Sequence, residues 1–240
     1  MTSASVSAVD VRTTMKFTYY GHSCFSVEIK GITILFDPFI SGNELARSID
    51  LNTLHADYLV VSHGHFDHIL DAVAIAKRTM ATVIANFEIT TWFGNHGITN
   101  VHTLNPGGKS GFDFGIVKCF LAQHSSSFPD GSYAGVACGF AVVSEEGNFY
   151  YSGDTGLSLD MQLVSQSTEL DYAVLPVGDH LTMGVEDAIQ AARLLETGKV
   201  VGVHFDTFPQ IVIDHQNAIE LFQAAGMDLM LLDIGEVIEI

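Results

Sequence analysis

The stretch that specifies the fold is residues 58–68, YLVVSHGHFDH, in which an apolar run leads directly into a cluster of polar side chains. The run YLVVS has the length and composition of a buried strand, and residues 69–80, which follow the cluster, have the apolar spacing of a helix face. A strand, a loop and a helix in this order are typical of α/β folds. In such folds ligand sites collect at the carboxyl ends of strands, which is where this polar cluster lies.

The chain on both sides of this stretch continues the alternation of strands and helices. Short β-rich segments at 17–20, 23–29 and 33–36 predict an opening meander. Later strands are predicted at 82–85, 101–104, 112–114, 116–123, 134–143, 148–151, 172–176, 200–204, 229–232 and 237–240, with helices around 88–93 and at 157–165, 185–196 and 214–225. Two blocks of strands, each with attached helices, predict two packed sheets with helices outside, a four-layer αββα sandwich of the α/β class.

The chain of 240 residues is long enough to bury a core of its own, since 48% of its residues are hydrophobic and only 16% are charged. Residues 1–14 are polar and rich in small side chains, which predicts a flexible N-terminal tail. No low-complexity linker divides the remainder, so residues 15–240 are predicted to form a single domain.

Charge and hydropathy limit the classes of partner. Ten Lys and Arg against 28 Asp and Glu give a net charge of −18, which opposes binding along a phosphate backbone and argues against long nucleic acids. No run approaches the roughly 18 apolar residues of a membrane span, and the first residues lack the apolar centre of a signal peptide. We therefore expect no membrane partner and a cytoplasmic location. Whether the chain forms a homo-oligomer is left open.

The polar cluster contains four groups that can bind metals: His63, His65, Asp67 and His68. The side chains of His63 and His65 alternate and can point at one position, while Gly64 permits a tight backbone between them. Asp67 and His68 stand at the predicted start of a helix and can serve a neighbouring position. This arrangement suits two metal ions.

Further candidate ligands follow other predicted strands, as the cluster does: His124, Asp154 and His204. A carboxylate such as that of Asp154 has two oxygens and can bridge two cations, which a histidine ring cannot. All of these donors are nitrogen or oxygen, which suits zinc and also manganese, iron or nickel. We predict two divalent metal ions, with zinc as the first choice.

The order HGHFDH, His124, Asp154, His204 resembles the ligand pattern of the metallo-β-lactamase superfamily over nearly the whole chain. Within that superfamily the segments GHSCF, LFDPFI, SGDTG, PVGDHLTMGVEDA and HFDTFP are similar to small metal-dependent hydrolases related to ascorbate-6-phosphate lactonases. The resemblance implies that His63, His65 and His124 hold one ion, that Asp67, His68 and His204 hold the other, and that Asp154 bridges the two.

Two cations lower the pKa of a shared water, so a hydroxide that bridges the ions is the predicted nucleophile. The predicted function is hydrolysis of a small ester, lactone, amide or phosphodiester, with the metal-bridging water and Asp67 as the catalytic groups. His22, His180 and Thr182 are candidate substrate contacts. Asp37 is a candidate partner for an imidazole that binds metal.

Three alternative functions remain open. A small-molecule phosphodiesterase or nuclease-type enzyme would share the same ligands, and salt-dependent RNA binding would favour the nuclease. A diiron redox protein would be coloured and redox-active when purified. A non-catalytic metal-binding protein would stay inert when loaded with metal.

Overall fold

Fourteen strands form two mixed sheets in the computed structural model, which describes residues 14–240. The first sheet contains, in spatial order, β14 (Val237–Glu239), β1 (Lys16–Gly21), β2 (Cys24–Ile29), β3 (Ile32–Phe36), β4 (Tyr58–Val60), β5 (Thr82–Ala85) and β6 (Val101–Thr103). The second contains β13 (Asp228–Met230), β12 (Lys199–Val203), β11 (Tyr172–Pro176), β10 (Asn148–Tyr151), β9 (Cys138–Val143), β8 (Gly115–Leu121) and β7 (Lys109–Phe112). The helices are α1 (Phe66–Ile69), α2 (Ala72–Thr79), α3 (Phe87–Asn95), α4 (Gln162–Ser165), α5 (Val185–Leu194) and α6 (His215–Ala224).

The predicted four-layer α/β sandwich is confirmed by these two sheets and their flanking helices. The predicted tail at 1–14 lies, apart from Thr14, outside the described residues, and the single domain at 15–240 stays a prediction. Among residues 14–240 no helix is long and apolar enough to cross a membrane.

Aromatic side chains from both sheets form the layer between them. The rings of Phe17, Phe25 and Phe36 stack in sequence, with centroids 4.9 and 4.5 Å apart. Tyr151 of the second sheet meets Phe25 edge to face at 5.1 Å. Full burial of such a side chain contributes about 1.5–3 kcal/mol. This layer fixes the two sheets face to face and thereby sets the distance between residues that follow their strands.

Strand direction explains why polar residues far apart in sequence meet. β1 and β3 are both antiparallel to β2, and β4 is parallel to β3, so these three strands run the same way. In the second sheet β8 and β10 are both antiparallel to β9, and β12 is parallel to β11 and β11 to β10. In each sheet the strands that precede the polar residues, β1, β3 and β4 in the first and β8, β10 and β12 in the second, therefore present their carboxyl ends at a common edge.

Two predicted elements differ from the structure because contacts with distant segments capture their backbone groups. The helix predicted at 69–80 begins earlier and is interrupted after α1, where the backbone amide of Asp71 donates to the carbonyl of Pro38 at 3.2 Å. The strand predicted at 134–143 begins only at β9, because Asn86 Nδ2 donates to the carbonyls of Ala134 and Val136. The last two strands lie in different sheets, because β13 joins the second sheet and β14 pairs with β1 in the first.

Candidate metal centre

Polar side chains follow the carboxyl ends of six strands, three from each sheet, and meet at one edge of the sandwich. They are His22 after β1, Asp37 after β3, the segment 63–68 after β4, His124 after β8, Asp154 after β10 and His204 after β12. His22 and His204, the two that are farthest apart in the sequence, are 182 positions apart. The parallel directions of the strands, and not sequence proximity, therefore build this centre.

The first group of converging ligand atoms comes from His63, His65 and His124, whose candidate donor atoms all lie within 4.8 Å of one another. The Nε2 atom of His63 is 2.9 Å from Nδ1 of His65. Three imidazole nitrogens at these separations can share one cation. The set is the one that the family resemblance implies for the first ion.

The second group contains Asp67, His68 and His204, again with donor atoms within 4.8 Å, and His22 belongs to the same group. Asp67 Oδ2 lies 3.8 Å from Nε2 of His68 and 3.9 Å from Nε2 of His204. These three residues are the set implied for the second ion. His22 was predicted at this site as a substrate contact, but its place within the second group of ligand atoms was not predicted.

Asp154 stands between the two groups. Its Oδ2 atom lies 3.2 Å from Nε2 of His68 and 3.0 Å from Nε2 of His204, and it lies 3.9 and 3.7 Å from Nε2 of His63 and His124. The preceding Gly153 has a φ of +60°, and a Cβ atom there would come within 2.5 Å of the carbonyl of Cys138. The glycine thus permits the turn that places one carboxylate against both groups.

Unpaired buried atoms indicate that this centre is built for cations. His68 Nε2, Asp154 Oδ1 and His204 Nδ1 are buried without a hydrogen-bond partner, whereas buried polar atoms in proteins are nearly always paired. His68 Nδ1 lies 2.8 Å from Asp37 Oδ2, so a neutral ring that donates this hydrogen directs the lone pair of Nε2 at the Asp154 carboxylate. Two lone pairs that face each other require a proton or a metal ion between them. The residues therefore fit a metal.

The pKa shifts at the centre also indicate that its carboxylates favour a positive charge beside them. Burial alone would favour the neutral ring, but Asp154 and Asp67 raise the pKa of His68 well above its ordinary value. Burial would likewise raise the pKa of the Asp154 carboxyl, yet His204 and His68 hold it well below its usual range. Burial lowers the pKa of His63, which keeps that ring neutral and able to donate a lone pair. In the metal-free chain a proton on His68 supplies the charge that a cation would replace.

Asp37 holds His68 in position. Its Oδ1 accepts the amide proton of Ser62 at 2.7 Å, and its Oδ2 accepts from the Ser62 hydroxyl at 2.5 Å and from the Tyr151 hydroxyl at 2.6 Å. Burial raises the pKa of Tyr151 well above its ordinary value, so this phenol stays protonated and donates. These contacts, with the 2.8 Å contact to His68, are what the predicted role of Asp37 requires.

His22 contacts the protein through both ring nitrogens. Its Nε2 is 3.1 Å from Asp67 Oδ2 and its Nδ1 is 3.1 Å from the Thr207 hydroxyl. Burial lowers the pKa of His22 to about 4, so the ring is neutral near pH 7 and its single N–H donates to the ionised Asp67. No ring nitrogen is left for a ligand, and the geometry favours positioning of Asp67 over the predicted substrate contact.

Replacing His22 by asparagine separates these two interpretations. Asparagine tolerates the φ of +55° at this position but is too short to keep the contact with Asp67. We expect kcat to fall roughly tenfold with KM nearly unchanged, because a group that orients a metal ligand acts on the reaction and not on substrate affinity. Steady-state kinetics on the metal-loaded protein measure both constants. A raised KM with an intact kcat would instead support direct contact with the substrate.

A cavity of about 690 Å³ opens onto the centre and exposes Asp67, Asp154 and His204 among its lining residues. Of the three predicted substrate contacts, His180 lines this cavity. Thr182 lies outside the lining residues, and its hydroxyl is 3.4 Å from the carbonyl of Met183. The cavity is large enough for a small organic substrate, whose reactive group would reach the ligand cluster at the base.

Comparisons with known proteins agree with this geometry. Residues 16–204 match the family model described as the Beta-lactamase superfamily domain. A UPF0173 metal-dependent hydrolase of Christiangramia forsetii is 50% identical over 94% of this chain and 100% of its own length. One of Methylacidiphilum infernorum is 51% identical over 92% of this chain and 98% of its own. Among solved structures, Igni18, a metallo hydrolase of the archaeon Ignicoccus hospitalis, is 34% identical with a TM-score of 0.86, covering 95% of this chain and 99% of that one.

Proposed function

Because the chain belongs to the metallo-β-lactamase superfamily, and within it to the UPF0173 metal-dependent hydrolases, we propose that it hydrolyses a small ester, lactone, amide or phosphodiester with two divalent cations. The observation that carries the proposal is the position of Asp154 Oδ2, within 3.9 Å of histidine nitrogens from both groups. The relation to ascorbate-6-phosphate lactonases stays a prediction.

The proposed ligand sets follow the two groups. His63, His65 and His124 would hold one ion, Asp67, His68 and His204 would hold the other, and Asp154, which lies between the groups, would contact both. Zinc is the proposed metal because its usual ligands include imidazole nitrogen and carboxylate oxygen, with manganese, iron and nickel as alternatives. Such ions, when bound, would lower the pKa of a coordinated water and would stabilise negative charge on the oxygen of the scissile group.

Asp67 is the residue of the chain proposed to move the proton. Its carboxyl lines the cavity and also belongs to the second ligand group. Burial would raise the pKa of Asp67, but His68 and the hydrogen bond from His22 hold it well below its ordinary value, so the carboxyl is ionised near pH 7. We propose that it accepts the proton of the attacking water and passes it to the leaving group.

Metal removal and reconstitution test the proposal. Chelated protein is expected to lose turnover and to regain it when zinc or manganese is restored. A ligand at about 1,000 times its Kd adds about 4 kcal/mol of stability, which for a chain of this size corresponds to a rise in Tm of roughly 10 °C. Elemental analysis, calorimetry and a panel of small esters, lactones, amides and phosphodiesters give the three readouts.

The other outcomes of this experiment are equally informative. Equal turnover by chelated and reconstituted protein would overturn the proposed function. A coloured, redox-active iron form that lacks hydrolase activity would favour a diiron redox protein. A metal-replete protein that is inert across the whole panel would favour a non-catalytic metal-binding role.

A further inference from the structure

The cavity above the metal centre has apolar walls. Around its polar base it is lined by Phe66, Phe128, Pro129, Leu181 and Phe208. Among its lining residues none is a lysine or an arginine. Apart from its histidines and the proposed ions, nothing in this lining offers a positive charge to a substrate.

The Lys and Arg side chains of the described residues lie outside the lining of this cavity. Several have partners outside the cavity: Lys30 with Glu145, Arg47 with Glu44, Arg78 with the carbonyls of Leu51 and Leu54, Lys118 with the ring of Phe120, and Arg193 with Gln190. Lys199 begins β12, whereas His204 follows the end of that strand, and the five residue-to-residue steps between them span about 16 Å. The net charge of −18 adds a field that repels anions.

The wall formed by Phe128 is fixed. Its side chain is 6% exposed and stacks on Trp92, with ring centroids 5.1 Å apart and planes 13° apart. The surrounding segment forms a small hairpin in which the amide of Phe128 donates to the carbonyl of Ser132 at 2.8 Å, and Ser127 pairs with Tyr133. The apolar surface is thus part of the folded structure and does not depend on a ligand for its shape.

Other lining residues of the cavity have exposed apolar side chains. Phe66 is 48% exposed and Leu181 is 47% exposed, and the Phe66 ring lies 6.3 Å from that of Phe208. Apolar surface that faces a concave site gains free energy when a ligand displaces the water from it. A carboxylate or phosphate placed there would lose hydration and find no cation in return.

We propose that the substrate carries a neutral, apolar body beside its scissile group and no carboxylate or phosphate at a distance from the metal ions. This inference rests on the proposed function and narrows it to those esters, lactones, amides and phosphodiesters whose remaining groups are apolar and uncharged. An anionic oxygen on the scissile group itself would lie on the cations, so the discrimination concerns the remainder of the molecule.

Matched aryl esters test this selectivity on the metal-loaded protein. We expect kcat/KM to rise about fourfold for each methylene added to the acyl chain between 4-nitrophenyl acetate and 4-nitrophenyl butyrate, because each added methylene is buried against the apolar lining. The 4-nitrophenyl monoester of succinate has nearly the length of the butyrate but ends in a carboxylate, and its kcat/KM is expected to be at least about tenfold lower.

A variant of the wall provides the matched control. Leu181→Lys adds a cation at a half-exposed position, and Leu181→Gln adds a neutral polar chain of similar reach. The measured quantity is the ratio of kcat/KM for the succinate ester to kcat/KM for the butyrate. This ratio is expected to be roughly fivefold to tenfold higher in L181K than in L181Q. Equal preferences of the two variants would argue against electrostatic selection by this wall.

Fluorescence measures binding without metal or turnover. Trp92 is the single tryptophan of the chain, and it stacks directly on Phe128. In chelated protein we expect N-hexylacetamide to change the emission of Trp92 in a saturable way. The matched anion 6-acetamidohexanoate is expected to bind at least about tenfold more weakly.

The two measurements distinguish failure of this inference from failure of the proposed function. Metal-dependent hydrolysis that favours the succinate ester, or equal binding of the two amides, would overturn the apolar selectivity and leave the hydrolase proposal intact. If neither ester is hydrolysed but Trp92 still reports selective binding of the neutral amide, the selectivity stands and hydrolysis of esters fails.

Discussion

Replacing Asp154 by asparagine is expected to lower kcat/KM by roughly 10²- to 10³-fold, the scale seen when one preorganised group that stabilises the transition state is removed. The substitution keeps the volume of a side chain that is 2% exposed, but it removes the charge that faces His68 and His204 at 3.2 and 3.0 Å. A neutral amide offers one carbonyl oxygen and cannot bridge two cations as a carboxylate does. Elemental analysis should therefore show fewer bound ions per chain.

The control for this variant is Asp160→Asn, which makes the same change of charge on an exposed carboxyl outside the centre. It is expected to keep wild-type metal content and turnover. Circular dichroism checks that both variants fold. If D154N bound as much metal as the wild type and turned over at the same rate, the assignment of Asp154 as the shared ligand would be wrong.

Replacing Asp37 by asparagine is expected to weaken metal binding about 10- to 100-fold and to reduce stability by about 3–5 kcal/mol. The carboxylate accepts from the Ser62 amide, the Tyr151 hydroxyl and His68 Nδ1, and an amide nitrogen in its place would repel some of these donors. His68 would then lose the partner that keeps its hydrogen on Nδ1 and its lone pair directed at the metal position. Competition with a chromophoric chelator measures the affinity, and chemical denaturation measures the stability.

Asp71→Asn is the matched control, because this second buried carboxylate also holds a loop, through the amides of Ile40 and Ser41. It is expected to reduce stability by a comparable amount with little change in metal affinity. Equal losses of affinity in D37N and D71N would show that Asp37 acts through general stability and not through the orientation of His68.

The ligand cluster could be predicted because its signals are local. Residues 58–68 combine strand, loop and donor groups in one short stretch, and His124, Asp154 and His204 each follow a recognisable apolar run. The parallel course of the strands then brings these positions together, as the rule for carboxyl ends of strands implies.

The parts that were not predicted depend on contacts between distant segments. The backbone amide of His204 donates to the carbonyl of His22 at 2.9 Å, and no sequence pattern places those two loops side by side. The interruption after Ile69 arises because the backbone amide of Asp71 donates to the carbonyl of Pro38, a residue far earlier in the chain. The pairing of β14 with β1 likewise joins the two ends of the described chain. Hydrogen bonds between distant segments and the pairing of edge strands are tertiary interactions, and local secondary-structure propensity does not predict them.

The distribution of ligands between the sheets has a consequence for how the molecule comes apart. The loop after β4 in the first sheet contributes His63 and Asp67, whereas His124, Asp154 and His204 follow strands of the second sheet. Neither sheet therefore provides all the ligands of either proposed ion. A metal ion bound by residues of both sheets would link the two sheets. Separation of the sheets and release of the metal would then occur together, so the unfolding rate would depend on the concentration of free metal ions.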